Sequence, residues 1–398
     1  MFLWWRYGKR ENEFLEKRVF DVTDYRRTER ENITMGDEKV KKNIMEYETV
    51  ALDDDKDALV ILDQTKLPGS AELISLHTGE EIWEAIYLLK VRGAPAIGVA
   101  AAFGIYLLAK KIQTDDYDTF YQEFCRQKAY LNSARPTAVN LPWALNRMEQ
   151  ACVNNRELPV PEIKAKLKAE AVALKEEDIR VCKAIGEYGL TLVKPGDGIL
   201  THCNAGQLAT CRYGTATAPI YLGQERGYNF RVFADETRPL LQGARLTAYE
   251  LYASGVDVTL ICDNMSATVM RNGWVNAVFV GCDRVAANGD TANKIGTSVV
   301  AAVAQRYHVP VYICAPTSTI DMSTPAGADI TIEQRPAHEV TDMWYEKPMA
   351  PAGVKVFNPA FDVTDHDLIA GIVTEYGIAR APYTESLKEI FEKKSRGL

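Results

Sequence analysis

Although cysteine occurs eight times, at positions 125, 152, 182, 203, 211, 262, 282 and 314, the chain contains no CxxC pair. That excludes a zinc ribbon and a thioredoxin-like redox pair. It leaves reduced, singly packed thiols as the expectation. HExxH and GxSxG are missing, so neither a zincin helix nor a serine-hydrolase elbow is present. The segment Gly206 to Thr215 carries glycines but forms neither GxGxxG nor a P-loop, which argues against a dinucleotide or nucleotide cofactor. Positive charge is in deficit, with 46 Lys and Arg against 54 Asp and Glu, a net charge of −8. Broad contact with nucleic-acid phosphates is therefore not expected. The longest uncharged stretch, Gly93 to Ala109, falls short of the roughly 20 apolar residues of a membrane span and reads as a buried helix. The opening Met1-Phe2-Leu3-Trp4-Trp5-Arg6 lacks a small-residue cleavage site, so no secretory signal is read and a cytoplasmic protein is expected.

What is present is an ordinary globular composition, 47% apolar and 25% charged, in a chain of 398 residues that is long enough for more than one domain. Residues 1–50 are charged and aperiodic and read as a poorly packed or partner-docked extension. A compact domain is expected to begin near Ala58, with Leu59-Val60-Ile61-Leu62 as a short strand. Helical spacing follows in Ile82, Ala85, Ile86 and Leu89, in Leu141, Leu145, Met148 and Cys152, and in Ile163, Leu167, Ala171 and Leu174. Residues 51–190 thus read as a mainly helical domain ending in a long helix.

From residue 191 to 398 the pattern changes to short apolar runs, each closed by polar residues. Gly198-Ile199-Leu200 leads to Cys203, Val232-Phe233-Ala234 to Asp235, Val258 to Cys262 leads to Asp263, Ala277 to Gly281 leads to Asp283, and Val311 to Cys314 leads to Pro316. Steps near 30 residues match βαβ units. The fold class is therefore α/β, a small mainly helical N-terminal domain on a Rossmann-like, doubly wound parallel sheet. Such sheets bind ligands outside the carboxyl ends of their strands, so Cys203, Asp235, Asp263 and Asp283 would gather on one edge.

Each candidate has a plain structural alternative. Cys203 is either a packed thiol or a tuned acid, base or nucleophile. Its neighbour His202 should point to the opposite face of the strand, which argues against a direct Cys-His pair. Asp283, Asp235 and Asp263 are turn carboxylates or catalytic acids, and a partly buried one would stay protonated near neutral pH. Arg92-Gly93-Ala94-Pro95 and Arg135-Pro136-Thr137 each place an arginine before a helix start. There it makes a simple turn or an anion site. Asn293-Lys294 reads as a helix opening that caps itself or binds sugar hydroxyls and phosphate.

The segments VRGAPAIGVAAAFG (91–104), RPTAVNLPWAL (135–145), THCNAGQLATCRYGTA (201–216), ETRPLLQGARLTAYEL (236–251) and GCDRVAANGDTANKIGT (281–297) closely resemble the methylthioribose-1-phosphate isomerases, over roughly residues 58–380. The superfamily also holds related sugar-phosphate isomerases and regulatory subunits of the initiation-factor nucleotide exchanger. The resemblance implies conversion of S-methyl-5-thioribose 1-phosphate to the ribulose 1-phosphate in methionine salvage, without cofactor or metal, by a homodimer. It places the catalytic pair on Cys203 and Asp283. Substrate binding falls on Arg92, Gly93, Ala94, Arg135, Gln242, Asn293 and Lys294. On this reading protonated Asp283 donates to the ring oxygen. Cys203 either shuttles a proton or borders a hydride shift between C2 and C1. The rivals are a 5-deoxyribose-1-phosphate isomerase, a ribose 1,5-bisphosphate isomerase and a non-catalytic, sugar-phosphate-sensing subunit.

Overall fold

The computed structural model describes residues 44–135 and 139–397. The charged run up to residue 43, and Pro136 and Thr137 of the second arginine turn, lie outside the described residues.

Three short strands come first: β1 (Val50–Asp53), β2 (Ala58–Leu62) and β3 (Leu73–Leu76). They pair antiparallel in that order, with the expected strand Leu59 to Leu62 at the centre. The packed chain begins earlier than residue 58. Ile44 and Val50 are fully buried, and the Ile44 carbonyl accepts from Gln207 Nε2 at 2.8 Å. The last residues of the supposed extension are therefore core, a contact that only a residue some 160 positions away could reveal.

Helices α1 (Gly79–Tyr87), α2 (Ala94–Lys110), α3 (Tyr117–Asn132), α4 (Asn140–Asn154) and α5 (Val160–Leu190) follow. Thr78 and Glu81 form a reciprocal capping box that starts α1. Ile82, Ala85 and Ile86 are its buried face. Leu89 falls beyond the helix end, at φ +60°. Helix α2 is buried on all sides from Ala96 to Ala109, which is why its sequence is uniformly apolar. Its small residues allow close approach: a Cβ at Gly98 would lie 3.5 Å from the Ala144 Cβ of α4.

The second half is built on β4 (Gly198–Thr201), α6 (Ala218–Glu225), β5 (Arg231–Asp235), a π-helical turn (Gly243–Thr247) running into α7 (Ala248–Ala253), β6 (Asp257–Ile261), α8 (Ser266–Arg271) and β7 (Ala277–Val280). Next come β8 (Arg284–Ala286), β9 (Thr291–Lys294), α9 (Thr297–Arg306), β10 (Val311–Cys314), β11 (Ile320–Asp321), α10 (His338–Thr341), β12 (Phe361–Thr364), β13 (Gly371–Thr374), β14 (Gly377–Ala379) and α11 (Tyr383–Ser395). A seven-stranded sheet has the order β14-β13-β10-β7-β4-β5-β6, parallel except for the β13–β14 edge. Counted from β4, the parallel strands run 3-2-1-4-5-6, the doubly wound order, and the winding reverses between β4 and β7.

Both faces of this sheet are covered, and the pleat assigns the residues. Ile199, Val232 and Phe279 join α5 and α6 in one apolar cluster. Leu200, Phe233, Val278 and Val280 join α8, α9 and α11 in the other. A four-stranded sheet, β11-β8-β9-β12, stands beside the carboxyl ends. In it Asn293 and Lys294 end strand β9, whereas a helix opening was expected. The Asn288-Gly289-Asp290 loop closes an antiparallel pair of β8 and β9, and the helix starts only after Gly296, at φ +104°.

Candidate active site

A cavity of about 470 Å³ opens where the winding reverses, beyond the carboxyl ends of β4 and β7. Arg92, Gly93, Ala94, Arg135, Cys203, Gln242, Asp283, Asn293 and Lys294 all line it. Asp235 and Asp263 do not. The Asp235 carboxylate lies 2.9 Å from His202 Nδ1, and Asp263 accepts the backbone N–H groups of Thr237 and Arg238 at 2.7 and 2.8 Å. The strand-end position that made all four groups candidates therefore separates into two lining residues and two carboxylates engaged elsewhere.

Cys203 follows β4 directly and has φ +67°, a conformation that costs a non-glycine residue roughly 1–3 kcal/mol. Two hydroxyls hold it there: Thr237 Oγ1 accepts from the Cys203 N–H at 2.8 Å, and Thr247 donates to its carbonyl at 2.6 Å. The thiol is thus turned out of the strand and into the cavity. Burial pushes its pKa up, and the nearby charge of Asp283 adds to this, against the pull of Arg92 and Lys294.

Asp283 is fixed by its backbone, whose N–H donates to the Ala292 carbonyl of β9 at 2.9 Å. Its side chain takes no hydrogen bond from any described residue. Burial raises its pKa, and Lys294, Arg135 and Arg92 oppose that without reversing it. Burial in this cavity biases the Asp283 carboxyl toward its protonated form, the form that can donate a proton, while the cationic walls pull the other way.

The two arginines are held differently. Arg92 forks onto Asn204, donating from Nη1 to Oδ1 at 2.6 Å and from Nη2 to the backbone carbonyl at 3.1 Å. The Asn204 amide in turn donates to Thr247 Oγ1 at 3.1 Å and to Glu250 Oε1 at 3.2 Å. Glu250 is fully buried, and burial pushes its pKa up to about 8 despite the N–H of Leu208 bonded to it. Arg135 has no hydrogen-bond partner among the described residues. Burial lowers its pKa, while the charges of Glu333 and Asp283 resist that.

Beside Arg92, Gly93 takes φ +87° at the start of α2, and a Cβ there would meet Ala209 at 2.4–2.5 Å, so only glycine fits. No side chain caps this helix, which leaves its first N–H groups open to an anion. Gln242 adds a buried Oε1 without a partner. Asn293 is held by Thr297, and Lys294 lies over the Phe361 ring at 4.3 Å.

A model of the initiation factor 2 subunit family matches residues 90–381. The chain belongs to the initiation factor 2 subunit family. Its relatives in this family include a methylthioribose-1-phosphate isomerase of Symbiobacterium thermophilum, 68% identical over 349 residues, which make up 88% of this chain and 97% of that protein. A 5-deoxyribose 1-phosphate isomerase of Clostridium botulinum is 55% identical over 344 residues, 86% of this chain and 97% of that one. The crystal structure of a 5-methylthioribose 1-phosphate isomerase from Pyrococcus horikoshii superposes with a TM-score of 0.83 at 41% identity, covering 90% of this chain and 99% of that one.

The family match includes every lining residue named above. Several participants were absent from the sequence-based candidates. Asn204 adjoins Cys203, and its role rests on Arg92, 112 positions away. Glu250 carried a usable signal, a carboxylate beside Leu251 on a helix that buries both. Glu333 and Arg335, which bond to each other at 2.9 Å on the cavity wall, come from an irregular segment with no pattern to read.

Proposed function

We propose that this chain interconverts S-methyl-5-thioribose 1-phosphate and S-methyl-5-thioribulose 1-phosphate, an aldose–ketose isomerisation in methionine salvage. The observation that carries the mechanism is the approach of two chemically distinct groups, the Cys203 thiol and the Asp283 carboxyl, to one cavity from different strand ends. The identity of the relatives supports the substrate.

The phosphate on the anomeric oxygen blocks opening to a free aldehyde, so the ring must open with the phosphate attached. Arg92, Arg135 and the open N–H groups of α2 hold that phosphate. Asp283 donates its proton to the ring oxygen as the ring opens and takes back the proton that the C2 hydroxyl releases as C2 becomes the carbonyl. Cys203 assists transfer of hydrogen from C2 to C1, while Gln242, Asn293 and Lys294 orient the hydroxyls. The homodimer and the cytoplasmic setting implied by the resemblance belong to the same proposal, as does a domain division near residue 190, supported by the separate cores around α2 and around the large sheet.

The 5-deoxy sugar phosphate is the second reading, favoured by the relative that is 55% identical. Leu89, Val139, Leu240 and Ile330 offer an apolar wall to an uncharged 5-substituent. A 5-phosphate fits poorly, because the further cations on the wall are already paired, Arg335 with Glu333 and Glu339 and Arg284 with Asp321. Turnover of the three sugar phosphates by the purified chain tests this. The methylthio substrate should give the highest kcat/KM and the bisphosphate the lowest. Absence of turnover on all three would favour the non-catalytic, sugar-phosphate-sensing reading.

A further inference from the structure

His202 lies one residue before Cys203, and its ring is fully buried. Nδ1 is 2.9 Å from Asp235 Oδ2, at the end of β5, and Nε2 is 2.9 Å from the carbonyl oxygen of Ile295, the residue after Lys294. Gly296 packs against the ring so closely that a Cβ there would sit 2.9 Å from it. One imidazole therefore ties together the ends of three strands: β4, which delivers Cys203; β5; and β9, which delivers Asn293 and Lys294. We propose that His202 is a positioning residue that holds the Asn293-Lys294 end of β9 against the thiol-bearing end of β4.

The hydrogen-bond chemistry makes the tie specific. The Ile295 carbonyl can only accept, so Nε2 must carry a hydrogen. A carboxylate also only accepts, so the contact with Asp235 needs one more proton, on Nδ1 or on Asp235 itself. Either way the pair binds one proton beyond a neutral imidazole and an ionised aspartate. Asp263, with Oδ1 4.0 Å from Nδ1, and Glu236 beside Asp235 add negative charge that favours this state. Burial alone would discharge the imidazole. The Asp235 bond and the two aspartate charges outweigh it and raise the pKa of His202, while burial raises Asp235 to about 6. Without the Nε2 hydrogen, two lone pairs would face each other and the β9 end would lose its anchor.

A role in fixing Lys294 and Asn293 rests on the binding role proposed for them, but the proton placement does not. Two variants separate the two ends of the ring. In His202→Asn the amide can replace Nδ1 and answer Asp235, but it cannot reach Ile295. In His202→Gln the amide reaches as far as Nε2 and can donate to the Ile295 carbonyl. The expected result is a fall in kcat/KM of about tenfold or more for His202→Asn, carried mainly by KM, with substantial recovery in His202→Gln. Equal kcat/KM in His202→Asn and the parent would overturn the proposal, as would a Gln variant no better than the Asn variant. Should either variant fail to fold, nitrogen-15 NMR of histidine-labelled parent protein, which has only five histidines, decides the matter without an activity assay. Nε2 of His202 should be protonated at neutral pH; a bare Nε2 would refute the arrangement. A protonated Nε2 in a chain that turns over none of the sugar phosphates would leave the tie standing and remove the isomerase reading instead.

Discussion

The two halves of the sheet's carboxyl edge use the same residue type in opposite ways. At β5 and β6 the aspartates are structural members: Asp235 meets His202, and Asp263 receives two backbone N–H groups that fix the turn at Thr237 and Arg238. At β7 the equivalent carboxylate, Asp283, is anchored through its backbone and lines the cavity, its side chain taking no hydrogen bond from any described residue. A strand-end aspartate is thus available for chemistry where the neighbouring crossovers diverge and is consumed as scaffolding where they do not.

The largest effects should follow that division. Asp283→Asn should lower turnover by roughly 10²–10⁴, the range of a lost general acid, with little loss of stability because a buried carboxyl is removed. Asp263→Asn keeps one acceptor for two backbone donors. It should cost about 1–3 kcal/mol of stability and change turnover far less. Measured kcat and thermal midpoints for both variants check this. If Asp263→Asn lost turnover at full stability while Asp283→Asn remained active, the division between the two halves would be reversed.

That division was half legible in the sequence. The apolar runs ending in polar residues locate all four strand ends, and the roughly 30-residue spacing gives the doubly wound sheet, because buried parallel strands must be apolar along their whole length. Position alone could not rank Asp235, Asp263 and Asp283, since what distinguishes them is a partner such as His202 or the Thr237 N–H that arrives from another loop. The same limit explains β9. Its Thr-Ala-Asn-Lys run carries little strand propensity and is a strand because it pairs with β8 and β12. The packed segment from Ile44 to Val50 reads as an extension for the same reason, as its partners lie far along the chain.

A smaller effect tests the cationic side of the cavity. Arg92 is held by Asn204, whereas Arg135 is held by no described residue. Asn204→Ala should therefore remove one of the two bonds that hold Arg92 and raise KM by roughly tenfold, about the 1.4 kcal/mol of one charge-assisted hydrogen bond, with the thiol and Asp283 untouched. Steady-state kinetics read this directly. A loss confined to kcat would mean that Asn204 serves Cys203 and not the arginine, and would sharpen the comparison by making the β4 end the more sensitive of the two.

The smallest effect lies beneath Asn204. The Glu250 carboxyl titrates at about 8 in the folded chain against an ordinary 4.5, so the native state holds its proton more tightly than the unfolded state does. The stability it contributes is complete below about pH 4.5 and is lost as pH rises through about 8. Glu250→Gln removes that titration but presents an amide N–H₂ to donors that need an acceptor. It should cost about 1–3 kcal/mol at pH 5, and the gap from the parent should narrow toward pH 8. Denaturant unfolding of the two proteins across this range gives both slopes. A gap that is constant with pH would mean that the carboxylate stays ionised on its two donors, Asn204 Nδ2 and the Leu208 N–H, throughout. The arm behind Arg92 would then be a permanently charged one.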